Sequence, residues 1–132
     1  MFKKKITYVD FNEQERTEDF YFHMSVTDAT KLTAKFNGVD PETHVKQLSL
    51  NQDMEAMVAF IEEIILTSYG KKSLDGKTFM KSPEIRAEFE NSPAYAELFE
   101  EMLTNPEMAL EFAKQTATST KKALEESKKK SE

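Results

Sequence analysis

The chain has 132 residues, enough for one domain with a real core, and 24 acidic against 18 basic side chains give it a net charge of −6. That balance argues against a dedicated nucleic-acid binder, and the absence of cysteine excludes disulfides, thiolate metal sites and cysteine nucleophiles. No apolar run approaches the roughly 20 residues of a membrane span, and the lysines of the opening MFKKKITYVDF precede no apolar stretch of a signal peptide, so a soluble cytoplasmic protein is expected.

The strand signal lies at the N-terminus. Ile6, Tyr8 and Asp10 alternate with Thr7, Val9 and Phe11, and after a polar link Phe20 and Phe22 share one face with Tyr21 on the other. This pattern predicts an antiparallel hairpin over residues 1–24. A lone hairpin is marginal in water, so its aromatic face must pack on the helices, a partner or another copy. From Ser25 onward the punctuation is helical. Ser25 caps a helix to about Phe36, and Asn37-Gly38 ends it. Asp40-Pro41, Ser82-Pro83, Ser92-Pro93 and Asn105-Pro106 each set a capping side chain before a proline suited to the first helical position.

Met54, Met57, Val58, Ile61, Ile64, Ile65 and Tyr69 recur at three- and four-residue steps, widened by Phe60 and Leu66, and mark the main core helix. Ile85 and Phe89 give the next helix one ridge. Tyr95, Leu98, Phe99, Met102 and Leu103 form a second stripe, and Met108, Ala109, Phe112 and Ala113 open a last helix. Its end, TATSTKKALEESKKKSE, has too little apolar surface to offset ordering, which makes 116–132 a frayed helix or a flexible tail. The fold class expected is therefore mainly α with an N-terminal β-hairpin (α+β), with the helical domain at 25–115.

The stretch GKKSLDGKT, Gly70 to Thr78, nearly spells a phosphate-binding loop. Five residues separate Gly70 from Gly76 where the motif needs four, and a helix precedes it where the motif needs a strand. A helix stop at Gly70 in the left-handed conformation, then a turn at Asp75-Gly76, accounts for it without a nucleotide. Catalytic chemistry has little to stand on. His23 ends a strand and fits packing, and His44 lies one turn after Asp40 with no third metal ligand implied. Glu62-Glu63 and Glu100-Glu101 are adjacent and point apart on a helix. No cofactor, no metal and no catalytic residue is expected.

Two stretches resemble a known family. KKKITYVDFNEQERTEDFYFHMS and SYGKKSLDGKTFMKSPEIRAEFENSPAYAELFEEML are similar to the tail assembly chaperones of long-tailed phages, particularly of Gram-positive hosts, over residues 3–25 and 60–113. The most specific pieces are Glu15 to Phe22 and the run from Tyr69-Gly70 through Asp75-Gly76-Lys77 to Phe79, Lys81-Ser82, Ala94-Tyr95 and Leu98-Phe99. Asn12-Glu13 stands where Asn-Gly is expected in the hairpin turn. The resemblance implies a non-catalytic factor of the host cytoplasm, absent from the mature virion. Such a factor keeps the tape measure protein soluble and brings tail-tube protein around it, with self-association possible and a longer product made by ribosomal frameshifting near the C-terminus. The lysine run Lys128-Lys129-Lys130 offers codons for a slippery site, and otherwise reads as a solvated end. Two other readings stay open: a structural tail or head-completion component of the virion, and a small phage regulator of a host protein.

The contact surface expected for a client is the junction Thr104-Asn105-Pro106, where two amphipathic helices meet. Met102, Leu103, Met108 and Phe112 surround it, and one small domain has difficulty burying both stripes.

Overall fold

A computed structural model describes residues 1–116. The hairpin forms first in the chain, β1 (Phe2–Val9) pairing antiparallel with β2 (Glu15–Phe22) from Phe2↔Phe22 to Val9↔Glu15. Its turn solves the missing glycine locally. Glu13 takes the left-handed conformation, φ 61°, and the Asp10 carboxylate accepts from the amides of Asn12 and Gln14 at 2.9 Å and from Arg16 Nε at 2.6 Å. Arg16 foremost, then the Gln14 amide, hold the Asp10 carboxyl below its ordinary pKa.

The caps form where the residue pairs predict them. Ser25 and Asp28 exchange hydrogen bonds in a capping box at the start of α1 (Val26–Lys35), and Asn37 and Gly38, φ 62° and 79°, turn the chain out of it. Asp40 caps α2 (Pro41–Asn51), Ser82 caps α4 (Pro83–Glu90) and Ser92 caps α5 (Pro93–Thr104). Between them α3 (Met54–Ser68) starts at the Asp53 cap, and a last helical stretch covers 106–116, its Met108 amide bonded to Asn105 Oδ1 at 3.3 Å. More than half of the described residues are helical, and the fold class is α+β.

The sheet is larger than the N-terminal signal predicts. Two further strands, β3 (Tyr69–Lys72) and β4 (Phe79–Met80), extend it to four in the order β1-β2-β3-β4. Gly70 is thus not a left-handed helix stop: α3 ends at Ser68, and Gly70 lies extended in β3 opposite Tyr21. Tertiary bonds end the helix. His23 N–H donates to the Ser68 carbonyl at 2.8 Å, and Lys81 Nζ donates to the Thr67 carbonyl at 2.7 Å, so both carbonyls are engaged outside the helix. The same ammonium also donates to the His23 carbonyl at 2.7 Å and to Asp28 Oδ2 at 2.8 Å, and so ties α1, β2, α3 and β4 at one point. Glycine is needed at position 70 for room, since a Cβ there would lie 2.5 Å from Phe79 Cε2 and 2.8 Å from the Met80 carbonyl oxygen.

One core serves the hairpin and the helices together. Ile6, Phe22 and Met24 are buried in the same cluster as Phe60, Ile61, Ile64 and Ile65 of α3, Leu98 and Met102 of α5, and Phe112. Phe22 is its hub, its ring 5.1 Å from Phe112, 5.8 Å from Tyr69 and 5.9 Å from Phe89. Contacts of this kind are worth more than the exposed ion pairs, such as Lys3–Asp19 at 3.5 Å, which contribute roughly 0–1 kcal/mol each. Met54, predicted for the core stripe, is instead the first residue of α3, next to the Asp53 cap, and is 63% exposed. Of the polar tail at 116–132, Thr116 is helical and buried; the rest lies outside the described residues.

Candidate partner-binding surface

The junction of α5 with the 106–116 helix is built by interlocking caps. Asn105 N–H closes α5 on the Glu101 carbonyl at 3.0 Å while its side chain caps the next helix, and Thr104 Oγ1 returns to the Glu100 carbonyl at 2.9 Å. The four residues expected to meet a client divide here into two kinds. Met102 and Phe112 are interior, at 1% and 0% exposure, and the Phe112 ring packs edge-on to Phe2 and Phe22, both at 5.1 Å. Leu103 and Met108 are half-buried against the core and keep surface to offer. The 106–116 helix is held by its far end too, where the Met24 amide donates to the Thr116 carbonyl at 3.3 Å and Thr116 Oγ1 to the Phe112 carbonyl at 2.8 Å.

A ridge that includes Leu103 runs along α5. Tyr95, Phe99 and Leu103 follow one another at four-residue steps and are all half-buried, with the Tyr95 and Phe99 rings 5.9 Å apart. Burial, with Glu62 and Glu90 nearby, pushes the Tyr95 phenol up to about 12. Tyr95 and Phe99 belong to the stripe read from sequence, but spacing alone does not separate their half-buried positions from the buried Leu98 and Met102. Below them Lys4 Nζ meets Glu101 Oε1 at 2.9 Å, fastening α5 to β1.

In the Gly70–Thr78 segment the Lys77 amide donates to Asp75 Oδ1 at 3.0 Å and the Thr78 amide to Ser73 Oγ at 3.1 Å, and strand β4 follows. The amides of Lys77 and Thr78 are thus taken by the turn's own side chains and that of Gly76 by the Ser73 carbonyl, and no helix opens there. The Ser73 hydroxyl first, then the Lys77 amide, keep the Asp75 carboxyl below its ordinary pKa. His44 sits between Phe36 and Phe60, ring centroids at 5.0 and 4.6 Å, and His23 meets Phe79 edge-on at 5.9 Å. Among the described residues no three His, Asp or Glu side chains gather to hold a metal, and no helix is long and apolar enough to cross a membrane.

Comparison with known families now bears on this arrangement. The sequence model of a family described as phage tail assembly chaperone matches residues 1–119. The chain belongs to that family. No curated protein and no solved structure matches it. In this tail assembly chaperone the stretches that carry the family likeness have structural addresses. Glu15 to Phe22 is β2, Tyr69-Gly70 begins β3, Asp75-Gly76-Lys77 makes the β3–β4 turn, Lys81 is the four-way tie, and Ala94 to Phe99 lies in α5. They surround the sheet and the face of α5 laid against it.

Proposed function

We propose that this tail assembly chaperone binds the tape measure protein, keeps it soluble in the host cytoplasm and promotes assembly of tail-tube protein around it, without catalysis and without remaining in the virion. Family membership supplies the coarse role. The observation that supports the finer one is the half-buried ridge Tyr95-Phe99-Leu103, with Met108 beyond the junction, on a chain of net charge −6. An apolar strip on an acidic body suits transient cover of an apolar client helix. Leu103 and Met108 make the contact in this reading, and Met102 and Phe112 support them from beneath.

The test is co-expression with the tape measure protein of the same phage. Leu103→Ser with Met108→Ser should lower soluble tape measure protein while the circular dichroism of the chaperone stays unchanged. Phe112→Ser should instead unfold it, since truncating a buried phenylalanine costs about 3–5 kcal/mol. A double serine variant that solubilises the client as well as the parent chain overturns the reading. The proposal includes a longer product from −1 frameshifting near Ser127–Lys130, a segment outside the described residues. Coding DNA without a slippery heptamer, and no extended product by mass spectrometry in phage-expressing cells, would remove that part.

A further inference from the structure

We propose that the fork between β2 and the β3–β4 hairpin accepts an extended segment of a partner protein as an added strand. Strand β2 pairs with β1 along its whole length, but with β3 only at Tyr21↔Gly70 and Phe22↔Tyr69. Past Gly70, β3 pairs with β4 instead. The hydrogen-bond phase then determines what faces the gap. Because His23 N–H donates to Ser68 and Tyr21 pairs with Gly70, the odd residues of β2 direct their backbone groups toward β3. Asp19 and Thr17 continue that row, and on this side no described strand pairs with them. On the other wall Ser73 N–H donates to Thr78 at 2.9 Å, which directs the Lys72 backbone away from β4 and into the fork. Backbone donors and acceptors on both walls specify a ligand with the same repeat, an extended polypeptide.

The cleft holds about 580 Å³, and its floor is aromatic: Phe20 lies 5.4 Å from Phe89, which stacks on Tyr69 at 4.1 Å. Fully exposed Leu74 stands on its rim. The walls are mixed in charge: Glu18 and Asp19 stand on the β2 side and Lys71 and Lys72 on the β3 side, with Asp19 paired to Lys3 at 3.5 Å and Lys71 to Glu88 at 3.3 Å. The occupant is therefore a strand alternating apolar side chains, for the floor, with polar ones for the solvent side. The outer edge of β1 also has no described strand beside it, but exposed Lys3 and Lys5 stand along it in the manner of a protected edge. This surface reaches Ser92 and Ala94 at the start of α5 but not Leu103 or Met108, and does not depend on the identity of the client there.

The probe is a blocked octapeptide alternating valine and lysine, added to the isotope-labelled full chain. The expected result is saturable binding that slows hydrogen exchange at the Thr17 and Asp19 amides and leaves Lys3, Lys5 and Thr7 unchanged. N-methylation of alternate peptide residues should abolish binding, and Thr17→Pro should weaken it about tenfold or more by removing an edge donor. No saturable binding, undiminished binding of the N-methylated peptide, or protection along β1 overturns the proposal. Concentration-dependent protection of Thr17 and Asp19 without peptide would make a second copy the occupant, and overturns the assignment to a partner.

Discussion

Single residues carry constraints that their type alone does not announce. Gly70 looks like helix punctuation but is required for close approach, with Phe79 and the Met80 carbonyl filling the space of a Cβ. Gly70→Ala should therefore shift the Phe79 ring, loosen β3 and lower stability by about 1–3 kcal/mol, read as a fall in the urea midpoint. His44 is the one described residue with a buried side-chain nitrogen, Nδ1, that lacks a hydrogen-bond partner. Burial pushes its imidazole below the ordinary value, and burial, the N-terminal ammonium and Lys81 do the same to His23. A histidine whose folded pKa is depressed leaves the unfolded chain to bind the proton first. Stability is then complete above the ordinary histidine value near about 6.5 and falls as pH drops from there through the folded value. The urea midpoint should decline as pH falls below about 6.5, and His44→Phe should flatten part of that slope.

At the scale of elements, the Lys81 tie decides where α3 becomes β3. Its three acceptors belong to Asp28, His23 and Thr67, on three different segments, and the ammonium and carboxylate are about equally shielded. The Asp28 carboxyl is raised by burial, but the Lys81 and Ser25 hydrogen bonds outweigh this and leave it below its ordinary pKa. Lys81→Met should cost about 2 kcal/mol, since it removes the ammonium from two carbonyls and leaves the Asp28 carboxylate with the Ser25 amide alone. Faster hydrogen exchange should appear first in β3 and β4. The two extra strands are not legible in the sequence for a related reason: two residues of β4 hold no periodicity, and the four of β3 continue the helical spacing that ends in Tyr69. The caps, by contrast, were legible because Ser25, Asp40, Ser82 and Ser92 act on amides three residues away.

The whole molecule depends on the hairpin as part of its core. Phe22 is fully buried among side chains of β3, α4 and the 106–116 helix, and Phe2 covers Phe112. A chain lacking residues 1–24 should therefore lose cooperative unfolding and expose apolar surface to a reporter dye. A helical domain 25–116 that still unfolded in one sharp transition would contradict this. For the intact chain, circular dichroism should report more than half helix.

Local chemistry in the sequence determined the hairpin, the helix starts, the apolar stripes and the family likeness of Glu15–Phe22 and Tyr69–Phe99. Each of these depends on neighbours within a few positions, or on residue identities that need no partner. Only the tertiary structure decided that Met102 and Phe112 are interior while Leu103 and Met108 retain surface, because the stripe of a helix states which residues are apolar and not which are covered. Tertiary contact also decided that α3 stops at Ser68. The bonds that stop it come from His23 and Lys81, 45 and 14 residues from the carbonyls they engage, and no local pattern records them.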